Sequence, residues 1–185
     1  MISDIMNEAE DRMKKTVEVL RKELASVRAG RANPAMLEKI TVDYYGTPTP
    51  VNQLANISIP ESRMLIIQPW DKTSMPAIEK AILKSDLGLT PSNDGVVIRL
   101  TIPQLTAERR TEIVKTVKKK AEENRVAVRN IRRELIDDIK KVEKEKIVSE
   151  DESKKGQEKA QKLTDKYIKD IDDVLNKKEL EIMEV

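Results

Sequence analysis

Apolar residues recur at every third or fourth position near both ends of the chain and alternate with polar ones in its middle. Met6, Ala9, Met13, Val17, Leu20, Leu24 and Val27 trace one face of a helix expected to close at Gly30, a residue suited to the position just past a helix. A second helix is expected from residue 106, with Thr106 as its cap. Val114, Val117, Ala121, Asn124, Val128, Ile131, Leu135, Ile139 and Val142 keep the same rhythm along it. Running to about residue 147, it would be roughly 60 Å long. The rhythm stops and then restarts behind Ser149-Glu150-Asp151-Glu152, a capping box, with Ala160, Leu163, Tyr167, Ile171 and Val174. Each stripe is narrow. Three helices sharing one seam, a three-helix bundle, is the simplest way to bury them all, with Asn124 as a register-setting polar residue on the seam.

The middle of the chain has a strand's period of two. Ile40, Val42 and Tyr44 alternate with polar residues before the turn-like Gly46-Thr47-Pro48-Thr49-Pro50, and Val96, Ile98, Leu100 and Ile102 alternate before Pro103. Ile57-Ser58-Ile59 and Met64 to Gln68 read as further strands. Between them Ser74 is placed to cap a helix from Met75 to Leu83.

Proline and charge divide the chain at matching places. All eight prolines lie between residues 34 and 103, and residues 30–105 hold 14 of the 68 charged side chains. Two composition shifts at the same positions indicate one domain inserted into another. The expected fold is α+β with two domains: a bundle of residues 1–29 and 106–185, and an inserted small β/α/β domain of residues 30–105. Two tethers join them, Gly30-Arg31-Ala32-Asn33 and Pro103-Gln104-Leu105-Thr106, and both must act at any hinge.

Composition then narrows the chemistry. The chain of 185 residues has no His, no Cys and no Phe. Zinc fingers, thiol or imidazole catalysis, haem ligation and disulfides are thereby excluded, and a reducing compartment is implied. The N-terminus begins Met1-Ile2-Ser3-Asp4-Ile5 without an apolar run, so a soluble, cytoplasmic protein with no membrane association is expected. Phosphate-binding glycine loops and nucleophile elbows are missing, so no enzyme and no cofactor are expected. A carboxylate-based hydrolase would need a concave polar pocket, which narrow apolar seams do not offer.

Charge supplies the candidate site. The net charge of +2 hides a polarised second half, +6 over residues 106–133 and −4 over residues 134–185. Residues 106–133 hold six of the twelve arginines, whereas residues 134–185 hold twelve lysines and no arginine. On a helical wheel Lys118, Arg125, Arg129, Arg132 and Arg133 fall within about 100° of arc beside the seam. Arginine is favoured where a planar fork grips a phosphate. Taken alone, the same stripe reads more readily as a solvated face whose arginines pair with acids on neighbouring helices. Arg28 and Arg31 add a second basic spot, where Arg28 is also placed to pair with a helix C-terminus, and Arg109 and Arg110 open the second helix. Four aromatics, Tyr44, Tyr45, Trp70 and Tyr167, are too scattered for a base-stacking platform, so any RNA contact would be through shape and backbone. Trp70 and Tyr44 are expected in the core or at an edge of the insert.

Several motifs then become familiar together. They are Arg28-Ala29-Gly30-Arg31-Ala32-Asn33-Pro34, Tyr44-Tyr45-Gly46-Thr47-Pro48-Thr49-Pro50, Pro76-Ala77-Ile78-Glu79-Lys80-Ala81-Ile82, Ser85-Asp86-Leu87-Gly88-Leu89, Leu105-Thr106-Ala107-Glu108-Arg109-Arg110 and Arg125-Val126-Ala127-Val128-Arg129-Asn130-Ile131-Arg132-Arg133. With Met1 to Ile5 they span the whole chain, and on them it resembles the bacterial ribosome recycling factors. The resemblance implies an L-shaped, monomeric molecule that binds the 70S ribosome after termination. It implies splitting into subunits with elongation factor G in its GTP form, release of mRNA and deacylated tRNA, and a functional link to initiation factor 3. It also implies 23S rRNA contacts by Arg28, Arg31, Arg110, Arg129, Arg132 and Arg133, and a short arm that pivots under the push of elongation factor G. The reading that competes with it is a protein-binding rod, a chaperone cofactor or adaptor, whose arginines only pair with acids.

Overall fold

The computed structural model describes residues 1–184 and divides into two compact units. One joins Met1–Val27 to the described chain from Glu108 on; the other is Arg28–Ala107.

The first unit is three helices: α1 (Ile2–Ala25), α3 (Ala107–Lys144) and α4 (Glu150–Met183). Their order in space follows from their cross-helix contacts. Lys118, Arg125 and Arg132 of α3 face Glu179, Asp172 and Gln161 of α4, numbers that rise on one helix and fall on the other, so α3 and α4 are antiparallel. Ile2 meets Gly156 and Glu10 meets Tyr167, so α1 runs parallel to α4. Helix α1 buries Ala9, Met13, Val17, Leu20 and Leu24, and α3 buries Val117, Ala121, Val128, Ile131, Leu135, Ile139 and Val142. Ser149 caps α4, its Oγ accepting from the Glu152 N–H at 3.1 Å, while the Glu152 carboxylate takes the Ser149 hydroxyl at 3.3 Å in place of the backbone N–H that would complete the box.

The structure departs from the sequence reading at identifiable places. Helix α1 stops at Ala25, not Gly30: Ser26 Oγ donates to the Glu23 carbonyl at 2.7 Å and the Val27 N–H turns back to Leu24, which ends the regular ladder. On α4 the buried line runs through Ser153, Gly156, Ala160, Thr164, Tyr167, Ile171, Leu175, Lys178 and Ile182. Leu163 and Val174 are only half-buried, because small and polar residues occupy the seam itself. Thr164 Oγ1 satisfies itself on the Ala160 carbonyl at 2.8 Å, and Lys178 Nζ lies 3.5 Å from Glu181. Asn124 Oδ1 is buried without a hydrogen-bond partner.

Gly156 marks a close approach of helices in the bundle. A Cβ there would stand 3.2 Å from Ile2 Cγ2 and 3.4 Å from Ile139 Cδ1, so the glycine that weakens α4 locally lets the start of α1 close over it.

The second unit holds β1 (Thr41–Tyr44), β2 (Thr47–Pro50), β3 (Ala55–Glu61), β4 (Met64–Pro69), α2 (Met75–Lys84), β5 (Ser92–Asn93) and β6 (Ile98–Thr101). β1 and β2 form an antiparallel ribbon; the others form an antiparallel sheet in the order β3-β4-β6-β5. The core joins Leu37, Val42, Val51, Leu65, Ile67, Ile78, Ile82, Ile98 and Leu100. The segment Thr47–Pro50, expected as a turn, is a strand. In a two-stranded ribbon both strands are edges, where prolines 48 and 50 sacrifice no ladder donor that a third strand would need. Ser74 stands at the N-cap position of α2, but its hydroxyl donates back to the Asp71 carbonyl at 2.6 Å and caps no helical N–H; Asp71 caps the short turn Lys72–Ser74 that leads into the helix, accepting from the Thr73 N–H at 3.0 Å and from Thr73 Oγ1 at 2.6 Å. Tyr44 is half-buried and donates to Asp71 at 3.0 Å, but Trp70 is 66% exposed and belongs to no core.

Both expected hinge segments lie within this second unit. Ala32 donates to the Ser62 carbonyl and Ile102 to the Arg63 carbonyl, each at 2.7 Å, and Asn33 Oδ1 caps the short turn that follows it. Gly30 has φ +76°, and a Cβ there would meet Leu105 Cγ at 3.1 Å.

Two outcomes test the bundle. Gly156→Leu should lower its unfolding free energy by about 1–3 kcal/mol by overpacking against Ile2 and Ile139, measured by denaturant titration of helicity. Burial, and then the hydrogen bond to Glu10, push the Tyr167 hydroxyl from its ordinary 10 up to about 12. The protonated form is the one the fold favours. Its contribution is therefore complete below pH 10 and lost as pH rises through 12. The bundle's melting point should fall across that window, and Tyr167→Phe should remove the part of the fall that belongs to this hydroxyl.

Candidate nucleic-acid interface

The arginines of α3 share a helix but not a fate. Arg125 lies deepest, with its side chain 18% exposed. Its guanidinium reaches Asp172 of α4 at 2.7 Å through one terminal nitrogen and at 2.9 Å through Nε, and Glu122 at 3.0 Å. Partial burial opposes its charge, yet the two carboxylates outweigh that and raise its pKa above the ordinary value. Arg125 is thus a brace between α3 and α4.

The other three are available. Arg129 has only a 3.5 Å contact to Glu122, a carboxylate already held by Arg125. Arg132 donates to the neutral amide oxygen of Gln161 at 3.2 Å and faces no carboxylate within ion-pair distance. Arg133 is exposed and makes no hydrogen bond or ion pair among the described residues. Exposed Val126 stands one turn before Arg129, so this face carries an apolar spot among its cations. Acids on the far side of α3 are engaged elsewhere: Glu134 takes Arg12 of α1 at 2.6 Å. That pairing, first through its hydrogen bond, raises the Arg12 pKa.

The remaining candidates stand apart from this triplet. Arg110 lies on the same helix about 29 Å nearer its start, half-buried, with its Nε lacking an acceptor. Arg28 and Arg31 belong to the second unit, and Arg28 donates to the Asp86 carbonyl at 3.2 Å, not to a helix C-terminus. Lys118 stands 3.8 Å from Glu179, too far for a hydrogen bond. What a single-helix wheel could not separate was Arg125 from its neighbours, because Asp172 and Gln161 arrive from α4. No helix is long and apolar enough to cross a membrane among the described residues.

The arrangement can hold a polyanion by forked hydrogen bonds along one helical face, and offers no base-stacking surface beside them. Known proteins resemble this chain along its whole length. A family model described as Ribosome recycling factor matches residues 20–183. The ribosome-recycling factor of Heliobacterium modesticaldum is 69% identical over 185 residues, all of both chains, and that of Desulfitobacterium hafniense is 70% identical over the same span. A solution structure of the ribosome recycling factor is similar with a TM-score of 0.82 at 48% identity, covering 100% of this chain and 98% of that one. A second similar structure, with a TM-score of 0.69 at 48% identity over 99% of each chain, is described as models for the T. thermophilus ribosome recycling factor and the E. coli elongation factor G bound to the E. coli post-termination complex. With both units matched from end to end, this chain belongs to the ribosome recycling factor family, a family of non-enzymatic translation factors.

Proposed function

We propose that this protein recycles ribosomes after termination, splitting them into subunits with elongation factor G and GTP and so freeing mRNA and deacylated tRNA. The bundle grips 23S rRNA of the large subunit through Arg129, Arg132 and Arg133 of α3, with Arg110, Arg28 and Arg31 as outlying contacts. It acts as a cytoplasmic monomer, and initiation factor 3 follows it by keeping the subunits apart. The insert is the arm that elongation factor G moves. The observation that carries the rRNA reading is that Arg132 and Arg133 face no carboxylate, whereas Arg12 and Arg125, also on long helices, are held by acids of neighbouring helices. A relative seen with elongation factor G on a post-termination complex supports the partner.

The alternative of a rod whose arginines only pair with acids is favoured at Arg12 and Arg125, and it makes the opposite prediction for salt. Arg133→Ala should weaken binding to vacant ribosomes by about 1.5–3 kcal/mol and shallow the slope of log affinity against log salt by about one, leaving helicity unchanged. Arg132→Ala should behave alike, and replacing Lys140 and Lys141 should do much less. A salt-independent affinity would overturn the reading. Arg125→Ala should do the reverse, costing up to about 1 kcal/mol of bundle stability by removing the bridge between α3 and α4, as read by denaturant titration.

A further inference from the structure

The insert is entered and left by two strands of chain, and both are fastened to the same turn. Ser62 and Arg63 join β3 to β4. The Ser62 carbonyl accepts from Ala32 on the way in, and the next carbonyl, of Arg63, accepts from Ile102 on the way out. Both bonds measure 2.7 Å, against about 2.9–3.0 Å for a typical N–H···O bond. The outgoing bond continues the β4–β6 ladder one step past Met64↔Thr101, with Ile102 buried. Beyond the two bonds the strands touch directly, since Leu105 fills the space that a side chain on Gly30 would need, and Gly30 is held at φ +76°. Ala29 is buried as well. On the incoming side the last helical residue is Ala25, and on the outgoing side the first is Ala107.

We propose that the Ser62–Arg63 turn is a clamp that binds both tethers into the insert as one rigid root, so that the arm bends outside it, at Val27–Arg28, where one compact unit gives way to the other, and at Thr106–Ala107. The clamp rests on the reading of the insert as a moving arm and deepens it. Segments 30–33 and 102–105 are then stiff parts of the lever. With two tethers pinned to adjacent carbonyls, a push on the insert turns both together and cannot be absorbed by one slipping past the other. Ser62 and Arg63 are positioning residues acting through their main chain, which is why no side-chain signature marks them.

Residual dipolar couplings of the free, full-length protein test the clamp itself. Amides of residues 30–33, 102, 104 and 105 are expected to share the alignment of residues 40–101. Couplings averaged toward zero at these positions, with large values kept at 27 and 28, overturn the clamp. A variant with two glycines inserted between Ser62 and Arg63 tests its use. The protein concentration giving half-maximal splitting with elongation factor G and GTP is expected to stay within about two-fold, while the maximal rate falls about ten-fold. An unchanged maximal rate with the tethers shown to be released overturns the role in splitting. If the insertion lowers the insert's unfolding midpoint by more than a few degrees, Ala32→Pro, which removes one donor and leaves the turn whole, is read in the same two assays with the same expectations. Failure of the wild-type protein to split ribosomes would count against the proposed function, and the couplings would still decide for or against the clamp.

Discussion

Helix α1 has no helical partner until the chain has passed through the whole insert, because both helices it packs against lie beyond residue 106. A lone helix of 24 residues with a narrow apolar face is marginal in water, so its stability depends on this return. The insert must bring its two ends close enough for α3 to start where α1 has ended. The antiparallel pairing of β4 with β6 and the fastening of both tethers to one turn accomplish this inside the insert. Bundle and insert are separate in their cores, yet the closure of one depends on the geometry of the other.

The seam that results is made without Phe or Trp. Aliphatic side chains fill it, and a thin point, Gly156 against Ile2, is also where the first turn of α1 is held. Polar groups on the seam are mostly satisfied within their own helix, as Thr164 is by Ala160. Such a seam specifies three straight neighbours and leaves the outer faces free to carry charge. That freedom is used unevenly: some arginines tie helices together, and Arg132 and Arg133 on α3 face no carboxylate among the described residues.

Much of this was legible in the residues. The 3/4 rhythm located three long helices, the prolines and the drop in charge located the insert, and the replacement of arginine by lysine after residue 133 set α3 apart from α4. What escaped did so for physical reasons. The early stop of α1 depends on a serine hydroxyl turning back on its own helix, which no periodicity records. Thr47–Pro50 reads as a turn because its prolines forbid a central strand, and the sequence does not announce that the ribbon has only two strands. Arg125 looked like its neighbours because the carboxylate that claims it sits 47 positions away. The bonds from the tethers to Ser62 and Arg63 left no mark in the sequence because they end on carbonyls, which every residue has.

One consequence follows from an aromatic residue that stayed out of the core. Trp70 is the chain's single tryptophan and lies two-thirds exposed in the second unit, while Tyr167, the bundle's one tyrosine, is buried. Indole emission therefore originates wholly in one half of the molecule and helical circular dichroism overwhelmingly in the other. The two units are optically separable without any label, and an event that reaches one before the other would be seen as a lag between two colours of the same unmodified protein.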